Sequence, residues 1–417
     1  MDATGTFDAA QILDAKSTFN APTVPRDGQA TASRAETRAK IQAKYDAGAP
    51  LYTKDDFRRV VEVFDRAMLE GGMHEHRLAV RGIDGVRVRF VLKVGAFASI
   101  KVPGKDTTLK FILQDVRIKH HSIEMMTGRN NSSSDADLPL AVAALPFSVV
   151  HTGAMVNKTT GQTMAGRPAP WDWRDSSAVA ARLAMFWPGW EITETCSHVW
   201  AIFLGLVPVV VDRSVLARAD VVCLPGVIDK VVAFGCGSMA AADRESEKRV
   251  GVQHALVLSV RHALLARANR RRAYGWAAVG EVRCYAQDAG YQPTDRGGLA
   301  EVGITVLEDP RGLLEVDSTS VVVSFAPDLP LRQIVADIAR PAALIWPRVT
   351  DADGGPQCDP VSPRVRRMIK DYYVAVECPF DEPEWKSSNP VVYIRKTLPW
   401  TLWGGVQTNM IPLMLNE

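Results

Sequence analysis

The most regular pattern of apolar and polar positions lies between residues 230 and 347. Five short apolar runs rich in β-branched residues alternate there with longer segments of helical spacing; the runs are 231–234, 282–285, 304–307, 321–325 and 343–346. The last helical segment, "LRQIVADIARP", has four apolar residues on one face and a terminating proline. Strands alternating with helices pair in parallel through right-handed crossovers. The pattern predicts an α/β fold with a Rossmann-like, doubly wound, mainly parallel sheet flanked by helices.

The first 215 residues predict an N-terminal α+β extension. The segment "TASRAETRAKIQAKYDAG" is rich in helix formers and ends at Gly48, and "YTKDDFRRVVEVFDRAML" predicts a second helix with Thr53 as its N-cap. The segments "VRVRFVLKV" and "LKFILQDVRI" alternate apolar with charged residues, which is typical of strands. Residues 150–215 hold five tryptophans and predict a mostly helical segment.

These patterns divide the chain into four predicted regions. Residues 1–30 are polar and contain Pro22 and Pro25, and we expect a disordered tail there. Residues 31–215 form the N-terminal extension with its tryptophan-rich helical segment. Residues 216–350 form the Rossmann-like domain, and residues 351–417 form a C-terminal extension that packs on this core.

Composition and charge exclude several classes of protein. Of the 417 residues, 49 are Lys or Arg and 47 are Asp or Glu, so a formal net charge of +2 gives no strong signal for nucleic acid or an anionic membrane. The six cysteines include no C-x-x-C pair, and neither a secretory leader nor a membrane-spanning run is present. We therefore expect a cytoplasmic or nuclear protein with no membrane association.

The stretch "VVAFGCGSM" carries the clearest candidate chemistry. A buried strand runs directly into Gly235 and Gly237, and Asp288 follows the second strand. In a doubly wound sheet, ligands bind outside the carboxyl ends of the strands where the strand order reverses. The third glycine of the dinucleotide fingerprint is missing, however, and Asp288 lies far beyond its usual spacing. An adenosyl or nucleotide ligand and a tight turn without a ligand both remain open.

Several segments together resemble the Sensitivity to Red Light Reduced family: "VVAFGCGSM", "VQHALVLSV", "CYAQDAGYQPTD" and the long run from "LAEVGITVLEDP" to "ALIW". The segment "YDAGAPLYTKDDFRRV" is similar to the longer fungal members. The resemblance implies a Rossmann-like domain in an intracellular regulatory protein, without an established reaction. It also implies a set of ligand-binding residues: Gly235, Gly237, Ser238, Gln253, His254, Gln287, Asp288 and Tyr291.

Each of these candidates also has a structural interpretation. Asp288 would either bind a ribose or cap a turn, and Asp295 is better placed as a helix cap. His254 would be either a general base or, as we favour, a packed histidine on an apolar helix. Cys236 is interpreted as a small residue in a tight turn.

No metal site is predicted. Two histidine pairs, His74 with His76 and His120 with His121, lack a third ligand at a suitable spacing and are interpreted as surface pairs.

Three functions remain open from the sequence. The first is a regulatory protein whose Rossmann-like domain binds a small-molecule ligand or a protein partner. The second is an S-adenosylmethionine-dependent, methyltransferase-like enzyme, with Asp288 on the ribose. The third is an interaction scaffold that presents the tryptophan-rich segment as its partner surface. Catalytic residues are not assigned.

Overall fold

The structure, a computed structural model, describes residues 16–20, 23–25, 33–70, 75–101, 108–128, 142–156, 176–204, 224, 227–242, 246–276, 280–350, 358–380, 383–385 and 388–396. The strands are β1 (Lys16–Asn20), β2 (Thr23–Pro25), β3 (His76–Arg81), β4 (Arg87–Leu92), β5 (Phe97–Lys101), β6 (Thr108–His120), β7 (Phe147–Met155), β8 (Lys230–Phe234), β9 (Arg283–Gln287), β10 (Thr305–Val306), β11 (Ser320–Ser324), β12 (Ala343–Pro347), β13 (Tyr373–Val376) and β14 (Pro390–Arg395). The helices are α1 (Arg34–Asp46), α2 (Lys54–Glu70), α3 (Ile123–Thr127), α4 (Ser176–Glu191), α5 (Glu194–Leu204), α6 (Ser246–Ala273), α7 (Pro293–Glu301), α8 (Arg311–Glu315), α9 (Leu331–Ile338) and α10 (Pro363–Tyr372).

A seven-stranded sheet organises the C-terminal half of the chain. Its strand order is β10-β9-β8-β11-β12-β14-β13. The five strands from β10 to β12 are parallel, while β14 runs antiparallel to both of its neighbours. The predicted α/β class and the mainly parallel sheet flanked by helices are confirmed.

The strands of the sheet centre are apolar because both faces of the sheet are covered. All five residues of β8 and of β11 are buried. On β8, Val231 and Ala233 pack towards α4, α5, α6 and α7, while Val232 and Phe234 pack towards α9, α10 and the N-terminal elements. Burial on both faces explains why these strands are continuous apolar runs rather than alternating ones.

The N-terminal elements form two antiparallel sheets and three helices. The strand orders are β2-β4-β3 and β1-β7-β6-β5. Ser33 and Glu36 form a capping box at the start of α1. The Thr53 hydroxyl oxygen accepts the Asp56 N–H at the start of α2, as the sequence predicts.

One buried carboxylate attaches this N-terminal layer to the sheet. Asp337 of α9 accepts the backbone N–H groups of Leu51 and Tyr52 at 2.7 and 3.2 Å, and it pairs with Arg364 of α10 at 2.5 Å. Burial raises the pKa of Asp337, whereas Arg364 and these hydrogen bonds lower it. The N-terminal layer is therefore held against the helices on one face of the sheet.

Two short strands lie within the region where a disordered tail is predicted. Within residues 1–30, β1 pairs with β7 and β2 pairs with β4, both antiparallel, so this region supplies an edge strand to each N-terminal sheet. The polar, proline-containing composition pointed towards disorder, but an edge strand tolerates both proline and polar residues. The other residues of this region lie outside the described ones.

The seven-stranded sheet extends past residue 350, because β13 and β14 belong to the segment that we expected to pack on the core as a C-terminal extension. Of the tryptophan-rich segment, α4 and α5 are described and are helical as predicted. Among the described helices, none has the length and apolar character needed to cross a membrane.

Candidate functional site

A cleft of about 840 Å³ opens at the carboxyl ends of the parallel strands, where the strand order reverses between β8 and β11. We call it the switch-point cleft. The bend after β8, the first turn of α6 and the residues that follow β9, β11 and β12 line it, together with the residues that precede β14. This position and volume are typical of ligand sites in open α/β sheets.

Gly235 allows two loops to approach each other closely. Its backbone φ is +65°, and a Cβ at this position would lie 2.5 Å from the backbone of Ala326 and Pro327. The loop after β11 therefore passes directly over the bend, and any side chain on residue 235 would push it away. The absence of a side chain at Gly235 thus makes room for another part of the protein.

Asp288 closes the same bend from the end of β9. One carboxylate oxygen accepts the Gly237 N–H at 2.8 Å and the other accepts the Gly290 N–H at 2.7 Å. Asp288 is thus a turn acid, which is one of its two predicted roles. Because each carboxylate oxygen has a second lone pair, and Asp288 is only partly buried at the cleft wall, it retains capacity to accept from a ligand.

Ser238 points away from the cleft. Its hydroxyl donates to Asp295 at 2.5 Å, and Asp295 also accepts the N–H groups of Ala240 and Gln292 at 2.9 and 2.8 Å. Asp295 is completely buried, at the third position of α7. It caps this helix, as predicted, and it also fixes the loop after β8.

His254 and Tyr291 form a buried pair. The Val250 carbonyl lies 2.7 Å from Nδ1 of His254, so Nδ1 carries the proton and the Tyr291 hydroxyl donates to Nε2 at 2.9 Å. Burial lowers the pKa of His254. With both ring nitrogens occupied, His254 packs the helix against the loop, which is the interpretation that we favoured.

Gln287 faces the opposite side of the sheet. Its side-chain amide donates to Asp309 at 3.0 Å and its oxygen accepts the Gly312 N–H at 2.9 Å. Gln287 and Tyr291 border a second cavity, between the sheet and the N-terminal layer. Of the eight predicted residues, the switch-point cleft thus gathers Gly235, Gly237, Gln253 and Asp288, but not Ser238, His254, Gln287 or Tyr291.

Positive charge dominates the cleft lining. Arg249, on the first turn of α6, is exposed, and Arg348 directly follows β12, where it pairs with Glu377. Arg332 is buried and held by Asp359 at 2.9 Å. Asp288 is the one carboxylate in the lining. Clustered guanidinium groups favour carboxylate or phosphate ligands.

Sequence reasoning missed most of this lining. Ligands bind at the carboxyl ends of parallel strands, so Arg348 could have been found by considering the residues after the fifth strand as well as those after the first two. Ser388 and Asn389 could not have been found in this way. They lie at the cleft because β14, which follows them, pairs antiparallel with β12, and no local sequence pattern predicted that pairing.

The structure also corrects the interpretation of the histidine pairs. His120 and His121 are buried, with His121 completely so, and His76 is buried as well; His74 lies outside the described residues. β6 carries His120 into the layer between the N-terminal elements and the sheet, and a sequence pattern does not reveal such a tertiary contact. In the described part of the chain, no cluster of three His, Cys, Asp or Glu side chains could hold a metal ion.

Other candidates have structural roles. Cys236 is a buried thiol whose pKa is raised by burial, which suits a small residue in a tight turn. Trp190 is buried and donates to Ser259 of α6 at 2.6 Å, while Trp187 and Trp200 pack partly buried against the same core. Trp171 and Trp173 lie outside the described residues.

Comparison with known protein families gives a match. The family described as SRR1 domain matches residues 220–383, which include both glycines of the bend, Asp288 and every strand of the seven-stranded sheet except β14. No curated protein and no solved structure matches the chain.

Proposed function

We propose, from the match of residues 220–383 to the SRR1 domain family, that the chain is an intracellular regulatory protein whose switch-point cleft binds a small anionic ligand. A nucleotide or another phosphate-bearing molecule is the class that best fits the lining. The observation that carries the proposal is the set of three arginines around a cavity in which Asp288 is the one acid.

The strand order supports a Rossmann-like core for this domain. From β10 to β12 the order corresponds to 3-2-1-4-5 when the parallel strands are numbered along the chain. Sheets with this order bind nucleotides at the reversal beside the first strand. The cleft lies there, and Gly235, Cys236 and Gly237 of the bend line it next to Asp288.

Binding rather than catalysis is the better proposal for this cleft. Among the described lining residues, Cys236 is a buried thiol with a raised pKa, and no histidine borders the cleft. His254, which follows Gln253 of the lining on α6, already has a partner on each ring nitrogen. Neither an activated nucleophile nor an acid–base pair is thus within reach of a ligand there.

Calorimetric titration of the full chain with ADP tests the proposal. We expect saturable binding that weakens about tenfold in Arg249→Ala, since a charged hydrogen bond to phosphate is lost. Lys248→Ala is the matched control, because it removes the same charge from the neighbouring position of α6, where Lys248 pairs with Glu384 outside the cleft. Absence of ADP binding, or equal weakening in both variants, would contradict the proposal.

An S-adenosylmethionine-dependent, methyltransferase-like enzyme is the second candidate. Its specific support is β14, inserted antiparallel between β12 and β13, because many enzymes of that class have a seven-stranded sheet of this form. The loop after β11 also lines the cleft through Phe325 and Ala326. Binding of S-adenosylhomocysteine in the same calorimeter, together with failure of ADP to bind, would favour this candidate.

A scaffold that binds a protein partner through the tryptophan-rich segment has less support. The three described tryptophans of that segment contribute to the core beside α6 rather than to an exposed aromatic surface.

A further inference from the structure

Four arginines lie together on the outer face of the β2-β4-β3 sheet. One face of β3 and β4 packs into the core, and the residues between these buried positions are exposed. Arg77 and Arg81 on β3 and Arg87 and Arg89 on β4 are all exposed residues of that outer face. We call these four residues the arginine face.

The register of the two strands distributes these arginines regularly. Two residues that lie directly opposite each other form one cross-strand pair, and the outer face carries three successive pairs in this region. Arg77 belongs to the first pair, Arg89 lies opposite Ala79 in the second, and Arg81 lies opposite Arg87 in the third. Successive pairs on one face are about 7 Å apart, because a strand rises about 3.3 Å per residue. Each pair thus supplies at least one guanidinium.

Positive charge on this face is in excess. Residues 75–93 contain five basic and two acidic residues. Of the two acids, Glu75 pairs with Lys93 at 2.7 Å, and the Asp84 carboxylate accepts the Val86 N–H at 2.9 Å. Lys93 and, to a lesser extent, Arg77 lower the pKa of Glu75. In the described part of the chain, no ion pair neutralises any residue of the arginine face.

The third cross-strand pair adds an independent observation. Arg81 and Arg87 are directly opposite each other in an antiparallel ladder. Like charges in this position destabilise a sheet, because their side chains leave the backbone only about 5 Å apart. An anion bound between the two guanidinium groups would remove that repulsion.

The chemistry of the face favours an extended acidic peptide over nucleic acid. Guanidinium groups bind carboxylates through two parallel N–H donors. In an extended peptide, every second side chain lies on the same side, so its acidic residues can repeat at the spacing of the arginine pairs. Proteins that bind single-stranded nucleic acid stack the bases on aromatic side chains, whereas the exposed described residues of β3 and β4 include no aromatic residue.

We propose that the arginine face binds an extended acidic segment of a protein partner, with a carboxylate at every second position. The segment lies along β3 and β4 and places one carboxylate at each cross-strand pair. This surface lies outside residues 220–383 and contains no residue of the switch-point cleft, so it does not depend on a ligand there.

Fluorescence anisotropy of the full chain with three labelled probes of equal charge tests the proposal. The first is the peptide Glu-Ser-Glu-Ser-Glu-Ser-Glu, the second has the same composition with its glutamates contiguous, and the third is pentathymidylate. We expect saturable binding of the alternating peptide, at least threefold tighter than that of either other probe. Raising the salt concentration should weaken it, because the attraction is electrostatic.

Two double variants locate the binding. Arg81→Gln with Arg87→Gln should weaken the alternating peptide about tenfold, because two charged contacts are lost. It should unfold no lower than the wild type, since it also removes the repulsion between the two side chains. The control is Arg66→Gln with Arg367→Gln, which removes the same charge from exposed positions of α2 and α10 and should change affinity less than twofold.

Three results would overturn the proposal. The first is failure of the alternating peptide to bind. The second is equal or tighter binding of the contiguous peptide or of pentathymidylate, which would mean that spacing does not matter or that the face binds nucleic acid. The third is equal weakening in the two double variants, which would reduce the effect to net charge.

Discussion

Asp295 is stabilised by hydrogen-bond donors rather than by a cation. Three donors reach its carboxylate from two different loops, and no basic side chain of the described chain pairs with it. This carboxylate connects the bend after β8 with the start of α7. The position of Gly237 at the cleft therefore depends on an acid that does not itself line the cleft.

Asp295→Ala should lower the free energy of unfolding by about 3 kcal/mol, because it leaves several buried donors without an acceptor. Glu301→Ala, an exposed acid on the same helix, should change it by less than about 0.5 kcal/mol. Urea denaturation of both variants measures the difference. Similar small effects in both would show that the three hydrogen bonds do not hold this loop.

His121 should make stability depend on pH. Burial lowers its pKa from 6.5 to about 4, and both ring nitrogens have partners, at Leu145 and Ser148. Between these two values the unfolded chain binds a proton that the folded chain does not. Stability contributed by the neutral ring is therefore lost as the pH falls, by up to about 1.4 kcal/mol per unit.

The comparison of wild type with His121→Gln isolates this effect. Asp359, whose pKa burial raises to about 6, titrates in the same range with the opposite sign, but it is present in both proteins and cancels in the difference. The stability advantage of the wild type should be smaller at pH 5 than at pH 7.5. An equal advantage at both values would contradict the assignment.

The sequence anticipated the packed role of His254 but not the burial of His120. His254 lies on a helix that is apolar on most of its surface, which is a local pattern. His120 lies at the end of an alternating strand, and its environment comes from α2 and from Asp309, which is 189 residues away. Local spacing cannot show a contact of that kind.

At the scale of elements, the cleft is shaped by the loops after β8 and β11, which meet at Gly235. Gly48 offers a matched comparison, because its φ of +90° is equally unfavourable for a side chain but no atom lies within 4 Å of its missing Cβ. The two glycines therefore differ in the contact with a second loop rather than in backbone strain.

Gly48→Ala should destabilise the protein by about 1 kcal/mol, the ordinary cost of a side chain in this backbone region. Gly235→Ala should cost about 1 to 3 kcal/mol more, because the loop after β11 must move. Thermal unfolding of the two variants, measured side by side, checks this difference. Equal destabilisation would mean that the two loops are not in close contact.

The five parallel strands could be predicted because each is a short, β-branched run between helical segments. Since β8 and β11 are buried on both faces, they are continuous apolar runs that stand out in the sequence. β13 and β14 were missed. Their partners are each other and β12, so their place in the sheet is decided by long-range pairing rather than by local pattern.

At the scale of the whole molecule, this pairing makes the C-terminal segment part of the sheet. A chain ending at residue 350 lacks both strands and exposes the apolar edge of β12. We expect it to aggregate or to lose cooperative unfolding, whereas a chain ending at residue 396 keeps both strands and should unfold cooperatively. For both chains, analytical ultracentrifugation measures aggregation and thermal unfolding measures cooperativity. Cooperative unfolding of the shorter chain at the same temperature would restore the predicted boundary.

Hydrogen exchange of the full chain with and without saturating ADP tests the central claim most directly, since the bend after β8 and the residues after β12 are expected to be opposite walls of one ligand site. ADP should slow exchange in peptides covering residues 235–242 and 347–350 together, and leave α4 unchanged. Bound ADP that protects neither peptide, or protects only residues outside the cleft, would contradict it.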